Sequence, residues 1–98
     1  MTSDILIIRT ISNLMIIGYG TKFENTTIIE KPYNVIPAMD GLQLYPLDAE
    51  LIGKEIPQME IHNSNTIYIT EPGDNLIESY KKATSSIELG QEKKLILG

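Results

Sequence analysis

The single histidine of the chain, His62, is followed by Asn63 and Asn65 in the stretch Glu60-Ile-His-Asn-Ser-Asn-Thr66. An imidazole and two amides in so short a span suit unpaired nucleobases, whose edges accept hydrogen bonds and whose faces accept stacking. The same polar run, Asn63-Ser64-Asn65, is also what a tight turn between two short strands requires. Residue type alone leaves both readings open. A metal site at His62 is excluded by its company: there is no second histidine, and the nearest acid, Glu60, shares its strand face.

Phe23, Glu24 and Asn25 form a second polar cluster with one aromatic face. Phe23 is either a stacking platform or a core residue, and Asn25 offers an amide beside it. Tyr19, Tyr33, Tyr45, Tyr68 and Tyr80 are either further platforms or packing residues with satisfied hydroxyls. Lys81-Lys82 is either a local phosphate contact or a solvated helix end. The acids Asp40, Asp48, Glu50, Glu55 and Glu60 fit no calcium-loop spacing. No positioned base, nucleophile or glycine-rich phosphate loop accompanies them, so the chain is read as a binding protein without catalytic residues, metal or cofactor.

Composition bounds the alternatives. At 98 residues this is one domain with a modest core, and with no cysteine it has neither disulfides nor thiolate chemistry. Self-association is the remaining source of burial. The net charge of −5, with eight scattered cations, lacks the basic stripe that duplex DNA demands. The longest apolar runs, Ile5–Ile8 and Leu14–Ile17, are far short of the roughly 20 residues that span a bilayer. No positively charged leader precedes them. The expectation is a cytoplasmic protein with no membrane partner.

The periodicity is that of strands. "ILIIRTI" (5–11) is β-branched and apolar, a strand buried on both faces. Ser12-Asn13 turns it into "LMIIGYGT" (14–21), where Gly18 and Gly20 fall on one face and mark a strand that must curl. A strand over 26–38 is interrupted by Pro32 and Pro37. Met39-Asp40-Gly41 carries a hairpin signal, "LQLYPL" (42–47) alternates, and residues 48–58 read as a loop or one turn of helix. Strands over 59–63 and 66–70 flank Ser64-Asn65. A helix over about 74–84 is capped by Asp74 or Asn75, buries Leu76, Ile77, Tyr80 and Ala83, and stops at Thr84-Ser85-Ser86. Residues 87–98 read as a flexible or partner-docked tail. The fold expected is mainly β: a small, strongly bent barrel of five strands with a C-terminal helix, over residues 1–86.

That order resembles the Sm-like fold. The hairpin Ser12-Asn13, Ile16, Gly18 and the pair Phe23-Glu24 lie at the spacing of the first Sm motif. Ile28 falls where that motif has its base-contacting asparagine. Ile61-His62-Asn63 matches the second motif, with His62-Asn63 in place of Arg-Gly. A helix after the barrel, ending "ESYKKATS", is similar to Sm-like proteins of cyanophages and marine phage metagenomes. Seventeen isoleucines against a single valine, an AT-rich codon signature, fit such a source. The resemblance implies a closed homo-oligomeric ring, pentamer to heptamer, in which the fourth barrel strand of one subunit joins the fifth of the next. Ile61, Ile67, Tyr68 and Ile69 would then be interface residues. It also implies single-stranded RNA around the pore, held by Phe23, Asn25, His62, Asn63 and Asn65. A protein-binding adaptor ring is the alternative.

Overall fold

The computed structural model describes residues 4–39 and 41–97, with side chains for 4–39, 41–49 and 51–85. Its elements are β1 (Asp4–Thr10), β2 (Met15–Lys22), β3 (Thr26–Ala38), β4 (Gly41–Pro46), α1 (Ala49–Ile52), β5 (Gln58–His62), β6 (Thr66–Thr70) and α2 (Asp74–Leu97). All six strands join one antiparallel sheet in the order β4-β3-β2-β1-β6, with β5 also paired to β3. The fold is therefore mainly β with a C-terminal helix, but the sheet has six strands rather than the five expected. The additional strand is β4, which folds back on the second half of β3 from Ala38↔Gly41 to Tyr33↔Pro46. Asp40, in the connection between them, lies outside the described residues.

The sheet turns sharply at one place. Register between β2 and β3 shifts from Ile17↔Tyr33 to Tyr19↔Glu30, so Lys31 and Pro32 together oppose Gly18 alone. This is a β-bulge, which bends its strand and increases local twist. Lys31 adopts φ 51°, a left-handed conformation that a non-glycine residue holds only when its surroundings enforce it. Every backbone polar group of the bulge has a partner. The Lys31 N–H donates to Pro57 O at 3.0 Å, and the Leu47 N–H donates to Pro32 O at 3.0 Å. The Tyr80 hydroxyl donates to Lys31 O at 2.7 Å, and Pro32 has no N–H to satisfy.

Gly18 makes the bend sterically feasible. A Cβ there would lie 2.4 Å from Ile29 Cγ2 and 2.7 Å from the Glu30 carbonyl oxygen. At Gly20 a Cβ would meet Leu6 Cδ1 at 2.6 Å and Ile29 Cδ1 at 2.9 Å. Both glycines open the concave face of the sheet, where its walls approach each other. The expected curl at this pair is what the structure has.

Curling divides the core in two. On the concave side Ile8, Ile16, Ile29, Leu47 and Ile61 pack together, with Met59 and Ile69 against them. On the convex side Ile7, Ile17, Tyr33 and Val35 pack on Tyr80 of α2, with Leu76 and Ala83 beside it. Consecutive residues of β1 and β2 thus feed opposite cores, which is why both strands are apolar without alternation. Tyr80 is fully buried and packs edge-on against Tyr19 and Tyr33, at centroid distances of 5.5 and 5.6 Å.

The helix differs from expectation at both ends. Gly73 O accepts the first bonds, from the N–H groups of Leu76 and Ile77, so Asp74 stands in the first turn, where the helix dipole favours an acid. α2 does not stop at Thr84–Ser86. The Thr84 hydroxyl bonds back to the Tyr80 and Lys81 carbonyls, a geometry that lets a threonine remain inside a helix. The expected tail, 87–98, lies outside the residues whose side chains are described. No helix among the described residues is long and apolar enough to cross a membrane.

Replacing Gly18 with alanine is expected to cost about 2–3 kcal/mol, because a backbone carbonyl, not a flexible side chain, blocks the new methyl group. Denaturant unfolding of the variant measures it. A second outcome concerns alkaline pH. Burial, aided by Glu55, pushes the Tyr33 phenol up to about 12, and burial pushes Tyr80 up from 10 as well. The fold binds these protons more tightly than the unfolded chain does. Stability should therefore be unaffected by them below pH 10 and fall as pH rises from 10 towards 12, less steeply in Tyr33→Phe.

Candidate functional site: a cluster of three turns

A three-residue 3-10 turn, Asn63–Asn65, joins β5 to β6. It is bonded to two other connections at once. The Asn63 N–H donates to Asn25 O at 2.8 Å, and the Ile11 N–H donates to Asn65 O at 2.9 Å. Residues 11 and 25 lie beyond opposite ends of β2, about 30 Å apart had the sheet been flat. The bend at Gly18 removes that separation. It brings the β1–β2, β2–β3 and β5–β6 turns into one cluster.

Each turn has a local cause. Between β1 and β2 the Thr10 N–H donates to Leu14 O, leaving a three-residue loop in which Asn13 takes φ 70°. Ser12-Asn13 is therefore part of a loop one residue longer than the two-residue turn expected. Asn13 supplies the left-handed position that such loops need. Buried Thr10 fixes it, accepting from the Leu14 N–H at 3.1 Å and bonding the Ser12 hydroxyl at 2.9 Å. Between β2 and β3 the Phe23 N–H donates to Thr26 O at 2.8 Å, so Glu24 and Asn25 form the tip.

The sequence-derived residues do come together here. Phe23, Asn25, His62, Asn63 and Asn65 all belong to this cluster, and His62 is the register partner of Thr26. Phe23 is 52% exposed, and His62, Asn25 and Asn65 are exposed. Asn63 differs from the others. Its Oδ1 accepts from the hydroxyl of fully buried Thr27 at 2.9 Å. Its Nδ2 donates to the Phe23 and Glu24 carbonyls at 3.4 and 3.3 Å. The amide is committed to holding the β2–β3 turn against the β5–β6 turn, and so fixes where Phe23 and His62 stand relative to each other. Thr27 was not singled out from sequence. A threonine in a strand carries no signal that its hydroxyl orients an asparagine 36 positions on.

The residues proposed for a subunit interface divide. Ile61 is buried in the concave core and Ile69 packs against it, whereas Ile67 and Tyr68 are exposed at 63% and 42%. β5 pairs only with β3 and β6 only with β1 among the described residues, so both present an open outer edge. The Asn63–Asn25 and Lys31–Pro57 bonds fix the ladder phase. They show that Gln58, Glu60 and His62 aim their backbone N–H and C=O groups outward. Ile28 sits within β3, opposite Glu60, away from the turn tips. Among the described residues no three His, Cys, Asp or Glu side chains are placed to hold a metal ion.

No family model matches the chain, and no curated protein matches it in sequence.

The geometry separates two roles by mutation. Asn63→Ala should lower stability by about 2–3 kcal/mol, since it leaves the buried Thr27 hydroxyl without its acceptor. His62→Ala, at an exposed position, should stay within about 0.5 kcal/mol of wild type. Thermal melts of the two variants side by side make the comparison.

Proposed function

We propose that the chain is an Sm-like subunit of a closed homo-oligomeric ring of five to seven copies, which holds single-stranded RNA beside its pore. The observation that carries this reading is the path β6-β1-β2-β3-β5, whose two ends are consecutive in sequence across a three-residue turn. Both ends have open edges, and they differ: β5 sends outward the backbone groups of Gln58, Glu60 and His62, and β6 exposes Ile67 and Tyr68. Unlike edges meet head to tail, and a head-to-tail contact repeated by rotation closes a ring. β4 is an arm added to this five-strand path.

The turn cluster supports RNA as the ligand. Phe23 offers a ring face, His62 a second, and Asn25 and Asn65 exposed amides, a set suited to unstacked bases. A phage-type source is part of the same reading, supported by the C-terminal helix and the isoleucine-rich composition. The second reading, an adaptor ring that binds protein, is favoured by the committed Asn63 amide and by the net charge of −5.

Light scattering on the purified protein tests the ring, and a monomer at every concentration would remove it. For RNA, short oligo-U and oligo-A are titrated at two salt concentrations. Binding that weakens in His62→Ala and Phe23→Ala supports the pore site. Binding that both variants leave unchanged places RNA elsewhere, and no binding at low salt leaves the adaptor reading.

A further inference from the structure

A third edge of the sheet is open, and it belongs to neither end of the ring-forming path. β4 pairs with β3 on one side and has no partner on the other among the described residues. The ladder phase again follows from one bond. The Leu47 N–H donates to Pro32 O, so Asn34↔Tyr45 and Ile36↔Gln43 are the hydrogen-bonded pairs of β3 and β4. The residues between them, Leu42 and Leu44, therefore direct their N–H and C=O groups outward. Pro46 lies in the same phase, but it has no N–H to offer.

This edge carries none of the devices that keep an exposed strand from pairing along most of its length. Gly41–Leu47 contains no charged residue, although the chain has 21% charged residues overall. It is also apolar. Of the large apolar side chains exposed among the described residues, Leu42 and Tyr45 lie on β4 itself, one on each face, and Ile36, Met39, Leu51 and Ile52 lie on the adjoining β3, the β3–β4 connection and α1. Exposed apolar side chains on both faces of an unpaired strand are buried when another strand is added beside it.

We infer that β4 pairs with β4 of a second copy, antiparallel across a two-fold axis through Gln43. One register uses every outward group of Leu42 and Leu44. In it Leu42 stands opposite Leu44 of the second copy, and the two exchange both N–H···O=C bonds; the symmetric pair repeats this, for four in all. Pro46 falls outside those bonds. A register centred on Leu44 would instead ask Pro46 for a donor it lacks. On one face Leu42, 55% exposed in the single chain, is covered by Leu44, which already packs on the convex core. On the other face Tyr45 lies over Gly41, and the two Gln43 side chains meet directly. An isologous contact needs a surface complementary to itself, and an uncharged edge in a chain of net charge −5 is where two copies approach without repulsion.

Gln43 provides the test, because it is exposed and lies opposite itself at the closer, non-hydrogen-bonded kind of pair. Wild-type protein is expected to reach an even number of chains in sedimentation across a concentration series. Q43K and Q43E are each expected to halve that mass, with circular dichroism unchanged, and an equimolar mixture of the two to restore it. The halving is independent of the ring: a paired ring falls to a single ring, and a simple dimer falls to a monomer. A wild-type mass that stays at an odd number of chains overturns the pairing. So does a mass that both variants leave unaltered, or a mixture that behaves as its two components do.

Discussion

The fold depends on the crossing of β2 and β3 at Gly18. Two residues, Lys31 and Pro32, are accommodated opposite one, and the strand partner at that point has no side chain to resist. Such a bulge would be unstable if its carbonyls were left buried and unpaired. The Tyr80 hydroxyl and the Leu47 N–H prevent that, one from α2 and one from the segment after β4. A helix, a hairpin arm and a bend are therefore tied to the same two peptide units. Loss of any of the three exposes groups that the others hold.

From this bend follow both the branching of the sheet and the turn cluster. The first half of β3 is paired outward to β5 and the second half to β4, with the bulge between them. β3 can serve two partners because its direction changes at Lys31. The same change of direction carries residue 25 towards residue 11, within reach of one three-residue turn. The cluster is thus a consequence of backbone geometry, and Asn63 makes it rigid. Positioning by a side chain with no unused hydrogen-bonding group is a sound way to hold exposed neighbours in fixed relation.

How far the sequence discloses this depends on range. Features with local causes are legible: the strand over 26–38, the curl at Gly18 and Gly20, the left-handed Asn13, the turn at 63–65 and the apolar face of α2. The expectation of five strands leaves out "LQLYPL", because nothing in its alternating pattern says that it pairs with the second half of β3 and joins the same sheet. Features with distant causes are not legible. The use of the Asn63 amide depends on Thr27, Phe23 and Glu24, up to 40 positions away. The bulge at Lys31 could be suspected from Pro32, but its stabilisation by Tyr80 spans 49 positions. Helix termination failed for another reason. Thr84-Ser85-Ser86 has the composition of a stop, yet a threonine hydroxyl can also satisfy itself on the preceding turn.

The three open edges are not equivalent, and their chemistry constrains what each can join. The outward groups of β5 come from Gln58, Glu60 and His62, so two copies of this edge would set one Glu60 close to another. β6, Thr66–Thr70, carries no charge and exposes Ile67 and Tyr68, so it suits a partner unlike itself that brings the polar groups. β4 is uncharged and matches itself in register. Like charges facing across a strand pair are destabilising, whereas apolar and amide pairs are not. The single glutamate on β5 thus separates a head-to-tail contact from a two-fold one. The proposed head-to-tail and two-fold contacts therefore fall on different edges of the sheet.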